Sequence, residues 1–411
     1  MRAIYSFLVH VAWFHLKLIA YLKPKIKLFV EGRKSVFSIL ENSITDADPI
    51  IWMHVASLGE YEQGLPILQK LKTNYPKHKI LLTFFSPSGY EIKKNTKDAD
   101  IITYLPLDTI SNANKFIQLA NPVLAIFIKY EIWPNYLNEL QKKNVPTFLV
   151  SALFSKKQSY FKWYGGFMRK SLKTFHHFFI QDENSQELLK TIGFTNTTVS
   201  GDTRFDRVAE ILERDNTLSF MTDFKQDKFC FVVGSSWPDD EKIIVEHINK
   251  SNYGVKYVIA PHNIKTEHIK NLKADISKKT LLYSELEHEN SKDYEVLLID
   301  TIGLLTKIYS YADIAYVGGG FKTGLHNTLE PVVFGTPLLI GPNYKGFREA
   351  EDLVEKGGTI VVKNKDEFSN AFEKLFNNRI MVEELGQINA QYAISKTGAT
   401  TKVMNHLKQI L

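Results

Sequence analysis

Length, composition and charge place the chain among ordinary globular proteins. It has 411 residues, of which 44% are hydrophobic and 23% are charged, so it is long enough for several cores and is neither a disordered tail nor a short binding module. Because Cys230 is the single cysteine, an internal disulfide is excluded and a reducing compartment is indicated. The net charge of +6 is compatible with an anionic membrane surface but does not require one.

Residues 3–22 form a mostly apolar and aromatic run of the length that a membrane-spanning helix needs. His10, His15 and Lys17 interrupt the run, and residues 2–34 contain seven lysines and arginines but one acid. Such a basic flank favours the cytoplasmic side of a membrane and attracts anionic lipid. We predict an N-terminal membrane anchor that spans the bilayer or lies in its interface. A buried amphipathic helix is the alternative.

From residue 49 onward, short β-rich runs alternate with helical patterns, which is typical of parallel sheets with helical crossovers. The alternation stops in a charged stretch and then begins again, so two Rossmann-like lobes are predicted. The predicted strands are 49–55, 80–85, 101–105, 123–128, 147–151 and 177–181 in the first lobe, and 229–234, 255–260, 295–299, 313–318, 337–340 and 358–362 in the second.

These boundaries give a domain organisation of four segments. The anchor and its basic flank occupy residues 1–34, the first lobe 35–206, the linker 207–228 and the second lobe 229–411. The last helix of the chain is in a position to pack back on the first lobe.

Two glutamates follow strands of the first lobe. Glu60 stands where the strand ending at Val55 gives way to a helical pattern, the usual place for a ligand crevice in an open α/β sheet. The alternative is a capping box, in which Ser57 caps the helix and Glu60 returns a hydrogen bond to its amide. Glu131 follows the apolar run 123–128 in the same way, with a plain helix start as its alternative.

The second lobe has a glycine-rich turn and a polar cluster. Gly318, Gly319 and Gly320 end a strand and would let a ligand approach the backbone, although their spacing fits neither the dinucleotide fingerprint nor the P-loop. Downstream, Asn327 and Glu330 have capping-box spacing as well, so the same alternative applies. No third ligand joins His326 and Glu330, and no metal site is predicted.

With these stretches in hand, the chain resembles the Kdo transferases, which attach 3-deoxy-D-manno-octulosonic acid (Kdo) to the lipid A precursor of bacterial lipopolysaccharide. The similarity covers nearly all of the chain. Its motifs are the apolar start, His54-x-x-Ser57-x-Gly59-Glu60, Ser86-Pro-Ser-Gly89, Leu105-Pro106-x-Asp108, Glu131-x-Trp133-Pro134-Asn135, Gly201-Asp-Thr-Arg204-Phe-Asp206, Ala260-Pro261-His262, Gly318-Gly-Gly320 and His326-Asn327-x-x-Glu330-Pro331.

The resemblance implies an α/β fold of the GT-B type, with two Rossmann-like lobes and an N-terminal membrane-anchor helix. It implies Glu60 as the general base and Glu131 as a second required acid. It places the acceptor near Ser57, Gly59, Ser86 and Ser88. It places the CMP-Kdo donor near Ser235, Pro261, His262, Gly318, Gly319, Gly320, His326, Asn327 and Glu330.

Several positions depart from the family pattern. Lys129 stands where an acid often precedes the Glu-x-Trp-Pro motif, Leu153 replaces an arginine, and Arg204 stands where lysine is common. The usual Pro-Arg-His is shortened to Pro261-His262 followed by Asn263. The residues that contact the donor phosphate and carboxylate therefore stay open.

The predicted function is an inverting transfer of Kdo from CMP-Kdo to the lipid A precursor at the cytoplasmic face of the inner membrane, without a metal or other cofactor. One alternative is another GT-B enzyme that uses a UDP-sugar, such as a lipid-linked acetylglucosamine transferase or a sugar-nucleotide epimerase. Another is a non-catalytic membrane scaffold. Nucleic acid is not an expected partner, because the basic residues beyond the N-terminal region look scattered, and the oligomeric state is left open.

Overall fold

The computed structural model describes all 411 residues. The chain divides into two compact units, one formed by residues 1–207 with 397–411 and the other by residues 208–396. Each unit contains a seven-stranded sheet, and every strand pair in both sheets is parallel.

The sheet of the first unit has the strand order β3-β2-β1-β4-β5-β6-β7. Its strands are β1 (Ile50–Val55), β2 (Lys79–Phe84), β3 (Ile101–Tyr104), β4 (Pro122–Ile128), β5 (Thr147–Ala152), β6 (His177–Ile180) and β7 (Thr197–Val199). The helices that belong to it are α1 (Arg2–Ile19), α2 (Pro24–Glu31), α3 (Val36–Ser43), α4 (Leu58–Asn74), α5 (Pro87–Lys93), α6 (Ile110–Ala120), α7 (Pro134–Lys142), α8 (Gly166–Leu172), α9 (Glu183–Thr191) and, at the end of the chain, α19 (Ala399–Leu407). Helix α10 (Thr203–Leu212) contains the boundary between the units.

The sheet of the second unit has the order β10-β11-β9-β8-β12-β13-β14. Its strands are β8 (Cys230–Ser236), β9 (Lys256–Pro261), β10 (Thr280–Leu282), β11 (Val296–Leu298), β12 (Ile314–Val317), β13 (Leu338–Ile340) and β14 (Thr359–Val361). Its helices are α11 (Ser219–Lys225), α12 (Pro238–Lys250), α13 (Thr266–Asp275), α14 (Leu305–Ile308), α15 (Leu329–Val333), α16 (Arg348–Glu355), α17 (Lys365–Phe376) and α18 (Arg379–Ser395).

The central strands are buried on both faces, as parallel strands covered by helices must be. All of the residues of β1 and β5 are buried, and the two faces of the first sheet contribute to separate hydrophobic clusters, with Trp52 in one and Met53 in the other. This double burial is why the strands appear in the sequence as continuous apolar runs. The edge strands β7 and β10 were not predicted, because each begins with threonine and follows polar residues, Thr195-Asn196 before β7 and Lys278-Lys279 before β10, so neither forms such a run.

Strand order defines one switch point in each sheet, where ligands of open α/β sheets bind. In the first sheet the chain proceeds from β1 outward to β3 and then returns to β4 on the other side of β1. In the second sheet β8 and β12 hold the same relation. The loops after β1 and β4, and those after β8 and β12, therefore lie at the positions where function is expected.

The N-terminal run is helical in part only. Helix α1 ends at Ile19, and no helix in the structure has both the length and the apolar character to cross a membrane. The spanning form of the predicted anchor is therefore wrong, since His10, His15 and Lys17 interrupt the apolar sequence of this helix. The interfacial form stays a prediction.

Candidate functional site

Glu60 lies in the first turn of α4, directly after the loop that follows β1. Ser57 is the N-cap of this helix, and its hydroxyl accepts a hydrogen bond from the Gly59 amide (3.3 Å) and donates a short one to a carboxylate oxygen of Glu60. The reciprocal bond of a capping box, from the Ser57 amide to Glu60, is not formed. Ser57 thus caps the helix while Glu60 is oriented by a side chain instead of serving as part of the cap.

The other carboxylate oxygen of Glu60 faces Lys129, whose ammonium lies 3.8 Å away. Lys129 follows β4 with φ of +66°, a left-handed conformation that a lysine adopts only when its surroundings impose it. The glutamate side chain is 16% exposed. The cation that departs from the family pattern is thus placed beside the predicted base.

Glu131 is held by a chain of side chains that starts in the core. Strand register sets His54 of β1 opposite Thr83 of β2, and His54 Nε2 lies 3.1 Å from Glu131 Oε2. The indole of Trp52 donates to the Thr83 hydroxyl (2.8 Å), which lies 2.8 Å from His54 Nδ1.

Donor directions follow along this chain, because an indole nitrogen can only donate. The Thr83 hydroxyl therefore accepts from Trp52. At the other end the carboxylate oxygen of Glu131 accepts, so the Nε2–H of His54 donates to it. Between them, His54 Nδ1 lies 2.8 Å from the Thr83 hydroxyl and 3.1 Å from the Thr83 carbonyl oxygen. Trp133 Nε1 donates to the same carboxylate oxygen (2.8 Å). Glu131 is therefore oriented by two donors, and sequence reasoning missed the bond from His54 because that residue belongs to a different strand, 77 positions away.

The predicted acceptor residues of the first unit form two adjoining loops. Ser86 is the N-cap of α5 and accepts from the Ser88 amide (3.3 Å), and the two hydroxyl oxygens are 2.9 Å apart. A Cβ at Gly89 would lie 2.9 Å from the carbonyl carbon of Ser57. This close approach brings the Ser86–Ser88 loop against the loop of Ser57 and Gly59.

In the second unit, the glycines after β12 pack against protein backbone. A Cβ at Gly318 would lie 2.3 Å from the carbonyl oxygen of Ser235, which itself has φ of +53°. A Cβ at Gly320 would lie 2.7 Å from the Gly341 amide nitrogen. Gly318 and Gly320 are thus required for contact between loops, and the ligand approach that the sequence predicts for the glycines stays a prediction.

A buried carboxylate that the sequence did not single out connects the same loops. Asp240, in the first turn of α12, accepts from the amides of Gly319 and Trp237 (2.9 Å each) and from the Tyr316 hydroxyl (2.7 Å). It joins the loop after β8 to the glycine-rich turn. No pattern in the sequence indicated this role.

Three aromatic rings stack beside this turn. Trp237 lies over His262 with ring centroids 4.6 Å apart, and His262 lies over His326 at 4.5 Å. Trp237 Nε1 donates to His326 Nε2 (2.8 Å). Burial lowers the pKa of both histidines, and for His326 the neighbouring His262 adds to the effect. His262 directly follows Pro261, the last residue of β9. The structure thus brings the predicted residues His262 and His326 together and adds Trp237 to them.

Glu330 is held at both carboxylate oxygens. Thr306 donates to one (2.9 Å) and the Asn327 amide to the other (3.0 Å). Asn327 also accepts from the Leu329 amide (3.2 Å), but the N-cap of α15 is Thr328. The capping alternative for Asn327 is thus met in part, because its side chain bonds a helix-start amide from one residue before the N-cap.

No group of three or more His, Cys, Asp or Glu side chains is arranged to hold a metal ion. The prediction that the reaction uses no metal or other cofactor stays a prediction.

Comparison with known proteins identifies the same family as the sequence motifs do. A family model described as 3-deoxy-D-manno-octulosonic-acid transferase (kdotransferase) matches residues 22–207. The 3-deoxy-D-manno-octulosonic acid transferase of Aquifex aeolicus is 30% identical over 354 residues, which cover 84% of this chain and 91% of that protein. The chain belongs to this transferase family. It is therefore a glycosyltransferase, as the sequence predicted.

Two further similarities concern extent and fold. A bifunctional glycosyltransferase/methyltransferase of Fusobacterium nucleatum is 27% identical over 95% of this chain, and the chain spans 62% of that protein's length. The structure of the UDP-GlcNAc 2-epimerase from Neisseria meningitidis has a TM-score of 0.63 at 15% identity and covers 88% of this chain and 100% of its own. At that identity the likeness concerns the fold alone, and it confirms two Rossmann-like lobes of the GT-B type.

Proposed function

We propose that the protein transfers Kdo from CMP-Kdo to the lipid A precursor, a lipid-linked glucosamine disaccharide. Membership of the transferase family supports this reaction. The observation that carries it is the placement of Glu60 at the switch point of the first sheet, where it is held by the Ser57 hydroxyl and faces Lys129. A glutamate that was only part of a cap would bond the Ser57 amide.

The chemistry is a single displacement. Glu60 takes the proton from a primary hydroxyl of the acceptor, and the oxygen forms a bond to the anomeric carbon of Kdo. The bond from that carbon to the phosphate oxygen breaks, CMP leaves, and the configuration inverts. Ser57 orients the carboxylate, and Ser86 and Ser88 supply hydroxyl groups in the adjoining loop for the sugar of the acceptor.

Donor binding is proposed for the second unit. Glu330, fixed by Thr306 and Asn327, presents a carboxylate to the ribose hydroxyls of CMP. The ring stack of Trp237, His262 and His326 lies beside the glycine-rich turn and offers hydrogen-bonding nitrogens to the nucleotide. A nucleoside monophosphate carries less charge than a diphosphate, so the proposal needs no metal.

The enzyme is proposed to work at the cytoplasmic face of the inner membrane, with α1 in the interface. The apolar residues Ile4, Phe7, Leu8, Val11, Phe14 and Leu18 recur at helical spacing and are all exposed. The helix is tied to its unit by Arg2, which pairs with Glu139, and by Ser6, whose hydroxyl accepts from the Ile110 amide (3.0 Å). An apolar face held in place by polar bonds suits a helix that lies on lipid.

The direct test is mass spectrometry of the product formed by the purified protein with lipid A precursor and either CMP-Kdo or a UDP-sugar. The proposal predicts a mass increase of one or more Kdo units with CMP-Kdo, and the same yield in the presence of EDTA. A product formed only from a UDP-sugar would support the alternative GT-B enzyme. No product from any donor would favour the non-catalytic scaffold.

A further inference from the structure

Residues 155–173, which follow β5 and include α8, form a surface that we call the aromatic-basic loop. The loop contains six lysines and arginines and no acid, an exception to the scattered basic residues expected from the sequence. Trp163 is 92% exposed and Tyr164 is 58% exposed. Two large aromatic side chains so exposed on a soluble surface are costly unless something covers them.

The exposure of these rings is built into the fold. Arg169 donates from one nitrogen to the carbonyl oxygens of Tyr160 and Lys162 (2.8 Å each), which fixes the turn that precedes Trp163. The ring of Tyr160 is buried against Phe154. A Cβ at Gly165 would lie 2.0 Å from the Ser159 carbonyl oxygen, so the turn closes tightly. A rigid turn therefore presents Trp163 and Tyr164 outward.

The cations beside these rings are available to a ligand. Lys156, Lys157, Lys170 and Lys173 are exposed, and none of them forms an ion pair. A cluster of unpaired lysines next to exposed tryptophan and tyrosine has the chemistry of the lipid headgroup region, where aromatic rings collect and basic side chains meet phosphates.

The loop also adjoins helix α1. Tyr5 of α1 packs on Phe167 of α8 with ring centroids 5.7 Å apart. Arg2, Phe167 and Lys170 line one cavity of about 370 Å³. The exposed apolar face of α1 and the aromatic-basic loop thus belong to neighbouring parts of one unit, and an apolar neighbour favours a bilayer over a nucleic acid.

We propose that the aromatic-basic loop is a second membrane contact, which binds an anionic phospholipid surface through Trp163, Tyr164 and the four lysines. This inference rests on the proposed function in so far as it assumes an enzyme that works on a lipid acceptor. The loop would add to α1 and fix the orientation of the first unit on the bilayer.

The experiment is co-sedimentation of the full chain with vesicles of phosphatidylcholine, with and without phosphatidylglycerol. The proposal predicts that Trp163→Ser with Tyr164→Ser weakens binding to mixed vesicles about tenfold. Lys156→Glu with Lys157→Glu should weaken it about as much, and only where phosphatidylglycerol is present. The matched controls Ile302→Ser and Lys270→Glu, at exposed positions of the other unit, should bind as the wild type does.

Kdo transfer to a detergent-dispersed acceptor, measured on the same proteins, separates the two proposals. The loop variants should transfer at the wild-type rate, which also shows that they fold. Wild-type vesicle binding by both loop variants would overturn the second contact and leave the transferase proposal intact. Wild-type vesicle binding through the loop without any Kdo transfer would contradict the transferase proposal alone. Loop-dependent binding of duplex DNA, with vesicle binding unchanged by the variants, would identify a nucleic acid as the ligand and overturn the lipid assignment.

Discussion

At the scale of single residues, the surroundings of Glu131 show how the core reaches a functional side chain. His54 is fully buried, yet its ring connects the Thr83 hydroxyl to the carboxylate of Glu131. A buried imidazole with both nitrogens bonded has one orientation, and it passes that orientation to the acid. His54 is therefore a positioning residue for Glu131.

Substitution of His54 by glutamine or by asparagine distinguishes this positioning role from a purely structural role of the buried side chain. His54→Gln places an amide N–H near the position of Nε2 and keeps the donor to Glu131, whereas His54→Asn reaches only as far as Nδ1. We expect kcat to fall about ten- to a hundredfold further in the asparagine variant. Steady-state Kdo transfer measures the difference, with thermal unfolding as the control for folding. Equal rates in two equally stable variants would show that His54 does not act through Glu131.

Gly59 offers a second test at this scale, because nothing in the fold requires a glycine there. A Cβ at this position would meet only the Ser57 hydroxyl, at 3.8 Å, and the residue lies in the first turn of helix α4. Gly59→Ala should therefore stabilise the protein by about 0.5–1 kcal/mol. If glycine leaves room for the acceptor sugar, KM for the acceptor rises while the protein becomes more stable. An unchanged KM would remove Gly59 from the acceptor site.

At the scale of elements, the loops after β8 and β12 support each other. Gly318 approaches the Ser235 backbone, and Asp240 bonds the amides of both loops. The donor residues predicted around them thus depend on packing between strands that are far apart in the sequence.

Gly318→Ala should disrupt this support, since its Cβ would overlap a carbonyl oxygen that cannot move aside. We expect a loss of about 1–3 kcal/mol in the free energy of unfolding, together with weaker binding of CMP. Denaturant unfolding and titration calorimetry with CMP give the two quantities. Gly166→Ala is the control, because φ is not positive at either glycine and a Cβ at Gly166 would meet only the Arg169 side chain, at 3.8 Å. CMP affinity equal to wild type in Gly318→Ala would show that the loop contact is not needed for the donor.

At the scale of the whole chain, the C-terminal helix α19 completes the first unit. The amides of Gly398 and Thr400 donate to the carboxylate of Asp206 (2.5 and 2.6 Å), which thereby caps this helix. His406 packs on His177 of β6 with ring centroids 4.5 Å apart. Asp206 of the motif Gly201-Asp-Thr-Arg204-Phe-Asp206 thus has a structural role in joining distant parts of the chain.

The histidine pair makes the stability of this arrangement dependent on pH. Burial, with a smaller contribution from His406, lowers the pKa of His177 to about 4. Because the unfolded chain takes up this proton near pH 6.5 and the folded chain only near pH 4, stability should decrease as pH falls through that window and stay constant above it. We expect a loss of about 1 kcal/mol, since the ring is partly exposed. His177→Gln, which can still bond Thr198, should lose less over the same window in thermal unfolding; an identical pH dependence would assign the effect to other groups.

Features that depend on a short stretch of sequence could be predicted, whereas contacts between residues far apart in the chain could not. The buried strands were predicted because a strand such as β4 is apolar at every position, and the glutamates were predicted because each follows an apolar strand. The bonds of Glu131 to His54 and of Gly319 to Asp240 join residues 77 and 79 positions apart. Strand order brings them together, and no spacing rule in the sequence indicates that order.

The prediction of a membrane-spanning anchor was wrong for a different reason. Residues 3–22 have the length of a membrane span, but His10, His15 and Lys17 lower the hydropathy of helix α1, and the helix ends at Ile19. The exposed Trp163 was missed because an aromatic residue in a sequence is expected in a core. Only the structure shows that Tyr160 turns inward while Trp163 turns outward.

The central claim is that Glu60 acts as the base, and Glu60→Gln tests it most directly. Glutamine can still accept the hydrogen bond of the Ser57 hydroxyl and is tolerated near a helix start, but it cannot take up a proton. The measurement is the rate of Kdo transfer from CMP-Kdo by a variant whose thermal unfolding matches the wild type. The account predicts a fall of at least about a hundredfold in kcat with little change in KM for CMP-Kdo. A rate close to wild type in the folded variant would contradict it.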